Sequence, residues 1–249
     1  SYRLTTLTTH SRELDRTFRN QMLNLVTDLE GSSEVGGLFL HPGARAGGLG
    51  MLLARSRYLF IAMHRARFGE RLLAELRGVV DAQGNAPFWD GVAGRFFGMS
   101  FRDADEFNAL HGNQFIADLM PKNPIYVNMI SDEAREAIAV THESGRPARR
   151  MLEAEGFRFE NYVDIFDAGP TMIARTDQVK TIAETQPATL AASPASKGQR
   201  ALVAAGELRD FRCAVARVET LDDGALAVDA EAASALKLNP GDRLCWAPR

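Results

Sequence analysis

The spacing of apolar and polar positions changes several times along the chain. Residues 2–9 alternate and are rich in Thr, the period of a half-buried strand. The polar stretch 11–19 fits neither a strand nor a helix. Residues 22–29 predict a second strand, closed by a Glu30-Gly31-Ser32 turn. Residues 34–41 predict a third, with Gly36 and Gly37 inside it, which in a strand mark a bulge or the close approach of another group. Leu49, Leu52, Leu53, Leu59, Phe60 and Met63 recur at helical spacing, so a long amphipathic helix follows the glycine-rich stretch 42–50. Further on, the pattern predicts a strand at 72–80 and a short aromatic helix at 87–97. Residues 103–130 mix both periods. Ser131 is placed to cap a helix running to about 140, with Asp132 and Glu133 in its first turn. Pro147 suits the first turn of the next helix, which Gly156 stops. Strands are expected at 157–166 and 171–175, joined by the turn 167–170.

Residues 185–197 are rich in Ala, Ser and Thr, hold two prolines and offer little to pack, so they predict a linker. The remainder predicts a small β-rich module with one helix at 230–236 and a turn at Asn239-Pro240-Gly241-Asp242 before a last strand. The expected division is a main domain at 1–180, a linker at 181–197 and the module at 198–249.

The sharpest local signal is Arg45-Ala46-Gly47-Gly48-Leu49-Gly50, after an expected strand and opening a helix. Glycines let successive N–H groups turn into one concavity. A helix start adds unpaired N–H groups and partial positive charge, and Arg45 adds a charged fork. The pattern suits a diphosphate; a ligand-free strand-to-helix turn would read the same way. It lacks the Gly-Lys-Ser/Thr of a Walker loop and the glycine spacing of a dinucleotide fingerprint. Its R-x-x-G-x-G form resembles the CoA-diphosphate loop of the acyl-CoA N-acyltransferase (GNAT) superfamily. In that superfamily the preceding strand splays from its neighbour and the pantetheine arm bonds to its backbone, here near Leu38.

Composition narrows the classes. The 249 residues are 45% hydrophobic, enough for a sizeable core. The formal net charge of −3 gives no global attraction to nucleic acid or an anionic membrane. Arg146–Arg150 would be a basic patch alone, but Glu143, Glu153 and Glu155 make it a mixed solvated helix. Two cysteines, Cys213 and Cys245, are no secreted disulfide framework and fit a reducing cytoplasm. The apolar stretch 49–63 is interrupted by Arg55, Ser56 and Arg57, which argues against a membrane span. No signal peptide is visible. The chain reads as a strand from Ser1 onward, so an earlier segment is expected to have been trimmed or to be missing.

Five histidines are present: His10, His41, His64, His111 and His142. His142 lies on the short connection between two expected helices, and loops held by rigid elements often carry catalytic groups. Imidazole titrates near neutrality and can accept and return a proton; taken alone, each histidine reads equally as structural or solvated. No His or Cys pairs occur at metal-ligand spacing, so no metal is expected.

Longer blocks resemble one family. Leu38-Phe39-Leu40-x-Pro42, Arg45-x-x-Gly48-x-Gly50, Glu75-Leu76-Arg77-Gly78-Val79, Pro87-Phe88-Trp89 and Arg95-Phe96-Phe97-x-Met99 are similar to arginine N-succinyltransferases. So are Phe115-Ile116-Ala117-x-Leu119-Met120-Pro121-Lys122, Pro124-Ile125-Tyr126, His142, Pro147-Ala148-Arg149, Leu152-Glu153-x-Glu155-Gly156-Phe157 and the run from Tyr162 to Pro170. These blocks come in order and cover most of residues 1–170. The resemblance implies an α+β chain with a GNAT-like mixed sheet, flanking helices and a small C-terminal β-rich module. It implies succinyl-CoA as donor, L-arginine as acceptor, His142 at the proton-donor position and Leu38 at the succinyl-CoA contact. Family members carry a further N-terminal segment, so a homo- or hetero-oligomer is expected, in which another chain could supply it.

The chemistry then expects direct transfer through a ternary complex. Backbone N–H groups near Leu38 or Phe39 would face the oxyanion. Phe39, Leu40, Arg45, Gly47, Gly48, Leu49 and Gly50 would hold the cofactor with Leu38, and His142 would carry the proton. Asp164 and Asp167 could pair with a guanidinium or equally close a turn. Arg77, Lys122 and Arg149 are cations that could meet the succinyl carboxylate. No G-x-S-x-G nucleophile is present. Acylation of another amine such as ornithine, use of another acyl-CoA, and a non-catalytic CoA-binding subunit of a two-chain acyltransferase are the alternatives.

Overall fold

The computed structural model describes every residue except Asn113, which falls in the 103–130 stretch, and the side chain of Ala117. The chain opens with a hairpin of β1 (Tyr2–Ser11) and β2 (Arg16–Leu25), paired antiparallel from Tyr2↔Leu25 to Ser11↔Arg16. The second strand therefore begins at Arg16, inside the polar stretch, and ends at Leu25 rather than at 29. The distal ladder is solvated, so polar residues serve there and leave no alternating signal. Asp15, at φ 46°, takes the left-handed position in the turn.

The strand expected at 34–41 is corrected: β3 is only Ser33–Glu34. Gly37 at φ 63° breaks the extended backbone, and residues 35–41 carry no regular structure. The helix expected after the glycine stretch is α1 (Leu49–Met63). β4 (Arg71–Glu75) stops five residues short of the expected end, because residues 76–80 are held in a loop by contacts described below. The aromatic helix is two: α2 (Pro87–Gly91) and α3 (Gly94–Phe97), separated at Val92, whose φ −126° and ψ −87° leave the helical region. The mixed stretch holds α4 (Phe101–His111), α5 (Gln114–Leu119) and β5 (Ile125–Tyr126). Ser131 caps α6 (Asp132–Ala137) by accepting the Ala134 N–H at 3.3 Å, and the helix stops at Ala137 because Ile138 turns extended. α7 (Arg146–Ala154), β6 (Arg158–Val163) and β7 (Pro170–Arg175) follow.

The expected linker at 181–197 is also corrected. It begins within α8 (Lys180–Glu184) and contains β8 (Gln186–Thr189), which pairs with the last strand, and both Leu190 and Ala191 are buried. Strand pairing and the bonds from Leu190 N–H to the Asp242 carbonyl and from Ala191 N–H to the Leu226 carbonyl tie this stretch to the sheet, while Ala192, Ser193, Pro194, Ser196 and Lys197 are exposed. β9 (Gln199–Ala205), β10 (Arg212–Thr220), β11 (Leu226–Val228), α9 (Ala230–Leu236) and β12 (Arg243–Pro248) complete the chain. The α+β class with a C-terminal β-rich part agrees with the sequence.

Two compact units result. The first comprises residues 1–31, 73–153 and 157–173; the second comprises 32–72, 154–156 and 174–249. In the first unit the sheet runs β4-β7-β6-β1-β2-β5. Its core gathers Tyr2, Leu23, Phe88, Trp89 and Val163, all buried. Trp89 stacks between Phe97 and Phe166 at centroid distances of 5.5 and 5.3 Å, and its Nε1 donates to the Met99 carbonyl at 2.9 Å. The aromatics Phe88, Trp89 and Phe97 are thus packing residues. Phe96 is 54% exposed.

The second unit carries an antiparallel sheet of order β11-β10-β9-β12-β8. Leu59 of α1 joins Leu202, Ala204 and Ala247 in a buried cluster, so the glycine-loop helix and the C-terminal module share one core. Arg55 of α1, 6% exposed, pairs with Glu155 at 3.0 Å, donates to the Thr181 hydroxyl at 2.7 Å and to the Pro248 carbonyl at 2.8 Å. The Glu155 carboxylate also accepts the Thr181 N–H and O–H, each at 2.8 Å. Every charge in this buried group is matched, as a dry site demands.

Candidate active site

The glycine loop belongs to the second unit. Gly47 at φ 64° and Gly48 at φ 83° are consecutive left-handed residues, and Gly48 caps α1 without any side-chain acceptor. Two such turns in a row aim successive amides to one side. Among the described residues no hydrogen bond is made by the N–H groups of Gly47, Gly48 or Gly50. Arg45 is exposed and its Nε donates to the Leu40 carbonyl at 3.1 Å, which folds the base of the loop. A second cation stands here, one that no local pattern in the sequence foreshadows. The Arg249 guanidinium lies 2.8 Å from where a Cβ on Gly48 would stand, brought by the chain end that follows β12. Unpaired amides, a helix start and two guanidinium groups form a concentration of donors fitted to an anion.

Leu38 and Phe39 are 38% and 71% exposed, and Leu40 is half-buried. Strand pairing has ended before them, so the chain here offers free backbone edge. Leu49 is 46% exposed and Gly50 half-buried at the start of α1.

His142 belongs to the first unit and is half-buried. It caps the 3-10 turn Glu143–Gly145: its Nδ1 accepts the Ser144 N–H at 3.2 Å and lies 2.8 Å from the Ser144 hydroxyl. Its own N–H donates to the Arg77 carbonyl at 2.8 Å. Both contacts fix the ring through Nδ1 and the backbone. Nε2 has no partner among the described residues.

The 76–80 segment that receives His142 is itself held from the other side. Asp167, 7% exposed, accepts the Gly78 N–H at 2.7 Å through Oδ2 and the Gly169 N–H at 2.8 Å through Oδ1, and Leu76 N–H donates to the Pro170 carbonyl at 3.2 Å. Only glycine fits at 78 and 169: a Cβ would stand 2.2 Å from the Asp167 carbonyl oxygen and 2.0 Å from that of Leu76. Asp164 Oδ1 accepts the Phe166 and Asp167 N–H groups at 2.7 and 3.2 Å. Burial and the neighbouring Asp167 charge push the Asp164 carboxyl up to about 6, against the pull of those two N–H bonds. Asp167 thus closes its turn with both oxygens, and Asp164 closes its own through Oδ1, which is the turn-closing reading the sequence offered beside a guanidinium contact. Arg77 is exposed, and its carbonyl is what seats His142. The sequence hinted at this in the glycine and aspartate spacing but not at which amide each carboxylate meets. Ser144, too, was missed.

Burial pushes the Cys213 thiol up to about 12 and raises that of Cys245, so neither is poised as a thiolate. Among the described residues no group of three or more His, Cys, Asp or Glu could hold a metal ion, and no helix is long and apolar enough to cross a membrane.

Comparison with known proteins places these features in a family. Residues 1–181 match the family described as arginine N-succinyltransferase beta subunit, and residues 186–248 match its C-terminal domain. A curated relative from Escherichia coli (strain 55989 / EAEC), arginine N-succinyltransferase, is 41% identical over 246 residues, covering 98% of this chain and 71% of its own length. Arginine N-succinyltransferase subunit beta of Pseudomonas aeruginosa is 41% identical over 242 residues, 97% of this chain and 71% of that protein. Among solved structures, the arginine/ornithine succinyltransferase subunit AI from Pseudomonas aeruginosa superposes with a TM-score of 0.85 at 31% identity, covering all of this chain and 72% of its own. Matched over nearly its whole length by these family models and relatives, the chain belongs to the arginine N-succinyltransferase family of acyltransferases.

Proposed function

We propose that this protein transfers the succinyl group of succinyl-CoA to the α-amino group of L-arginine, giving N2-succinyl-L-arginine and CoA in arginine catabolism. The observation that carries this reading is a likeness at 41% identity running over 98% of the chain. Arg45 and the amides of Gly47, Gly48 and Gly50, on the loop that Leu49 completes, bind the CoA diphosphate, with Arg249 beside them. The backbone of Leu38, Phe39 and Leu40 meets the pantetheine arm. Arg77 is a candidate for the succinyl carboxylate.

The chemistry follows from the groups present. The neutral amine attacks the thioester carbonyl, and the resulting oxyanion is stabilised by backbone N–H groups. As the C–S bond breaks, the amine nitrogen gives up a proton and the CoA thiolate takes one. His142 carries it, receiving and returning the proton at Nε2. Half-buried cysteines whose thiols are both raised above the ordinary range support direct transfer without an acyl-enzyme. No metal enters this scheme. The protein acts in the cytoplasm and assembles with a second chain, in keeping with relatives described as subunits.

A second reading concerns the acceptor: the solved neighbour is named for both arginine and ornithine. The test is to incubate the protein with succinyl-CoA and, separately, arginine, ornithine and lysine, following free thiol and product mass. Succinyl-arginine formed with one thiol released per product is the expected result. Preference for ornithine would shift the assignment to that acceptor. Thiol release with no amine product, or no turnover at all beside intact CoA binding, would overturn the proposal in favour of a non-catalytic subunit.

A further inference from the structure

His142 makes two different contacts with one residue, of which one requires a lone pair on Nδ1 and the other suits either state of that nitrogen. The Ser144 N–H can only donate, so at 3.2 Å it requires a lone pair on Nδ1. The Ser144 hydroxyl, 2.8 Å from the same nitrogen, can donate or accept. The backbone contact alone would hold the neutral ring with its proton on Nε2. In that tautomer Nε2 has no lone pair with which to take the amine proton. The imidazolium needs a proton on Nδ1 as well, and the backbone N–H would then face it as a second donor. An acceptor at Nδ1 is required, and the hydroxyl oxygen supplies it.

We propose that Ser144 is a positioning residue whose hydroxyl lets His142 work through Nε2. When Nδ1 is protonated it donates to Ser144 Oγ, leaving Nε2 to gain the proton lost by the amine and pass it to the departing thiolate sulfur. One proton enters at Nε2 and one leaves, so the ring ends as it began, and Nδ1–H stays bonded to Oγ throughout. The turn geometry supports this role. The His142 N–H is anchored on Arg77 and the 3-10 turn closes with the Gly145 N–H on the His142 carbonyl at 2.9 Å, so Ser144 and the ring are held within one rigid turn. The inference rests on His142 being the proton carrier.

The test compares Ser144→Ala, Ser144→Thr and His142→Gln in the full chain. Steady-state kinetics are measured, and the ring nitrogens of His142 are followed by 15N NMR. Ser144→Ala keeps the backbone donor and loses the acceptor. Its kcat should fall about tenfold to a hundredfold with KM for both substrates little changed, and Nδ1 should become the unprotonated nitrogen of the neutral ring. Ser144→Thr, which retains the hydroxyl, should restore both. Wild-type kcat in Ser144→Ala, while His142→Gln is inactive, would overturn the inference and leave the proton-carrier assignment standing. Wild-type kcat in His142→Gln would remove that assignment itself, and this inference with it.

Discussion

The Asp167 carboxylate accepts the Gly78 N–H at 2.7 Å, one residue along from the Arg77 carbonyl that receives the His142 N–H. A buried carboxylate thus holds one side of a short backbone segment and the histidine turn is tied to the other. Its remaining oxygen holds Gly169. An asparagine has one acceptor oxygen where this site uses two, and its amide would point donors at a donor. Asp167→Asn should therefore lower stability by about 2–4 kcal/mol, read as a drop in Tm. It should reduce kcat more than KM, because the residue acts on the position of His142.

Asp164 gives a pH signature. Its carboxyl is pushed up to about 6 in the folded protein, above the ordinary value of 3.8. Between those two values the folded state binds more protons than the unfolded state, so this group lowers stability as pH rises from about 4 to about 6. Below that window it imposes no penalty; above it the full penalty is present. Asp164→Asn keeps an acceptor for the Phe166 N–H and removes the charge. Thermal unfolding of this variant should show a gain over the parent at pH 8, on the order of 1–2 kcal/mol, that disappears by pH 4. An equal effect at both pH values would contradict the assignment.

The buried Arg55–Glu155 pair ties α1 to α8 and to the end of β12. Arg55→Met removes the donor to Pro248 and leaves Glu155 with Thr181 alone. Breaking one side of such a pair costs about 3–5 kcal/mol. Arg55→Met with Glu155→Gln should recover part of that loss, because no unmatched charge remains. Denaturant titration of the two variants decides it.

Gly47 and Gly48 separate backbone strain from steric conflict. Both take positive φ, but a Cβ at 47 meets nothing within 4 Å, whereas one at 48 would stand 2.8 Å from the Arg249 guanidinium. Gly47→Ala is expected to cost about 1 kcal/mol from backbone strain. Gly48→Ala adds displacement of Arg249, and should raise KM for succinyl-CoA further than Gly47→Ala does while leaving KM for arginine unchanged.

Much of this was legible in the residues, and the failures have physical causes. Ser131, Pro147 and Gly156 act through local backbone chemistry, so the starts of α6 and α7 and the end of α7 were readable directly. The glycine loop was readable because consecutive left-handed residues leave few alternatives. β2 was not, since its polar half pairs only with β1 and has no buried face to impose a period. The strand expected over 34–41 failed at Gly37, whose permissiveness allows an exit as readily as a bulge. Residues 181–197 were misread because small side chains suit both a free linker and a tightly packed edge strand, and only the pairing with β12 distinguishes them. Asp164 and Asp167 carried two readings; their bonds to Phe166, Asp167 and Gly169 are local, but the Gly78 amide that Asp167 also meets lies almost ninety residues earlier.

In the proposed function the loop from Arg45 to Gly50 binds the CoA diphosphate while His142 carries the proton. Calorimetric titration of CoA into the parent protein, Arg45→Ala and His142→Ala tests it most directly. His142→Ala should bind CoA as the parent does, and Arg45→Ala should bind at least tenfold more weakly. Undiminished binding by Arg45→Ala, or no binding of CoA by the parent, would contradict it.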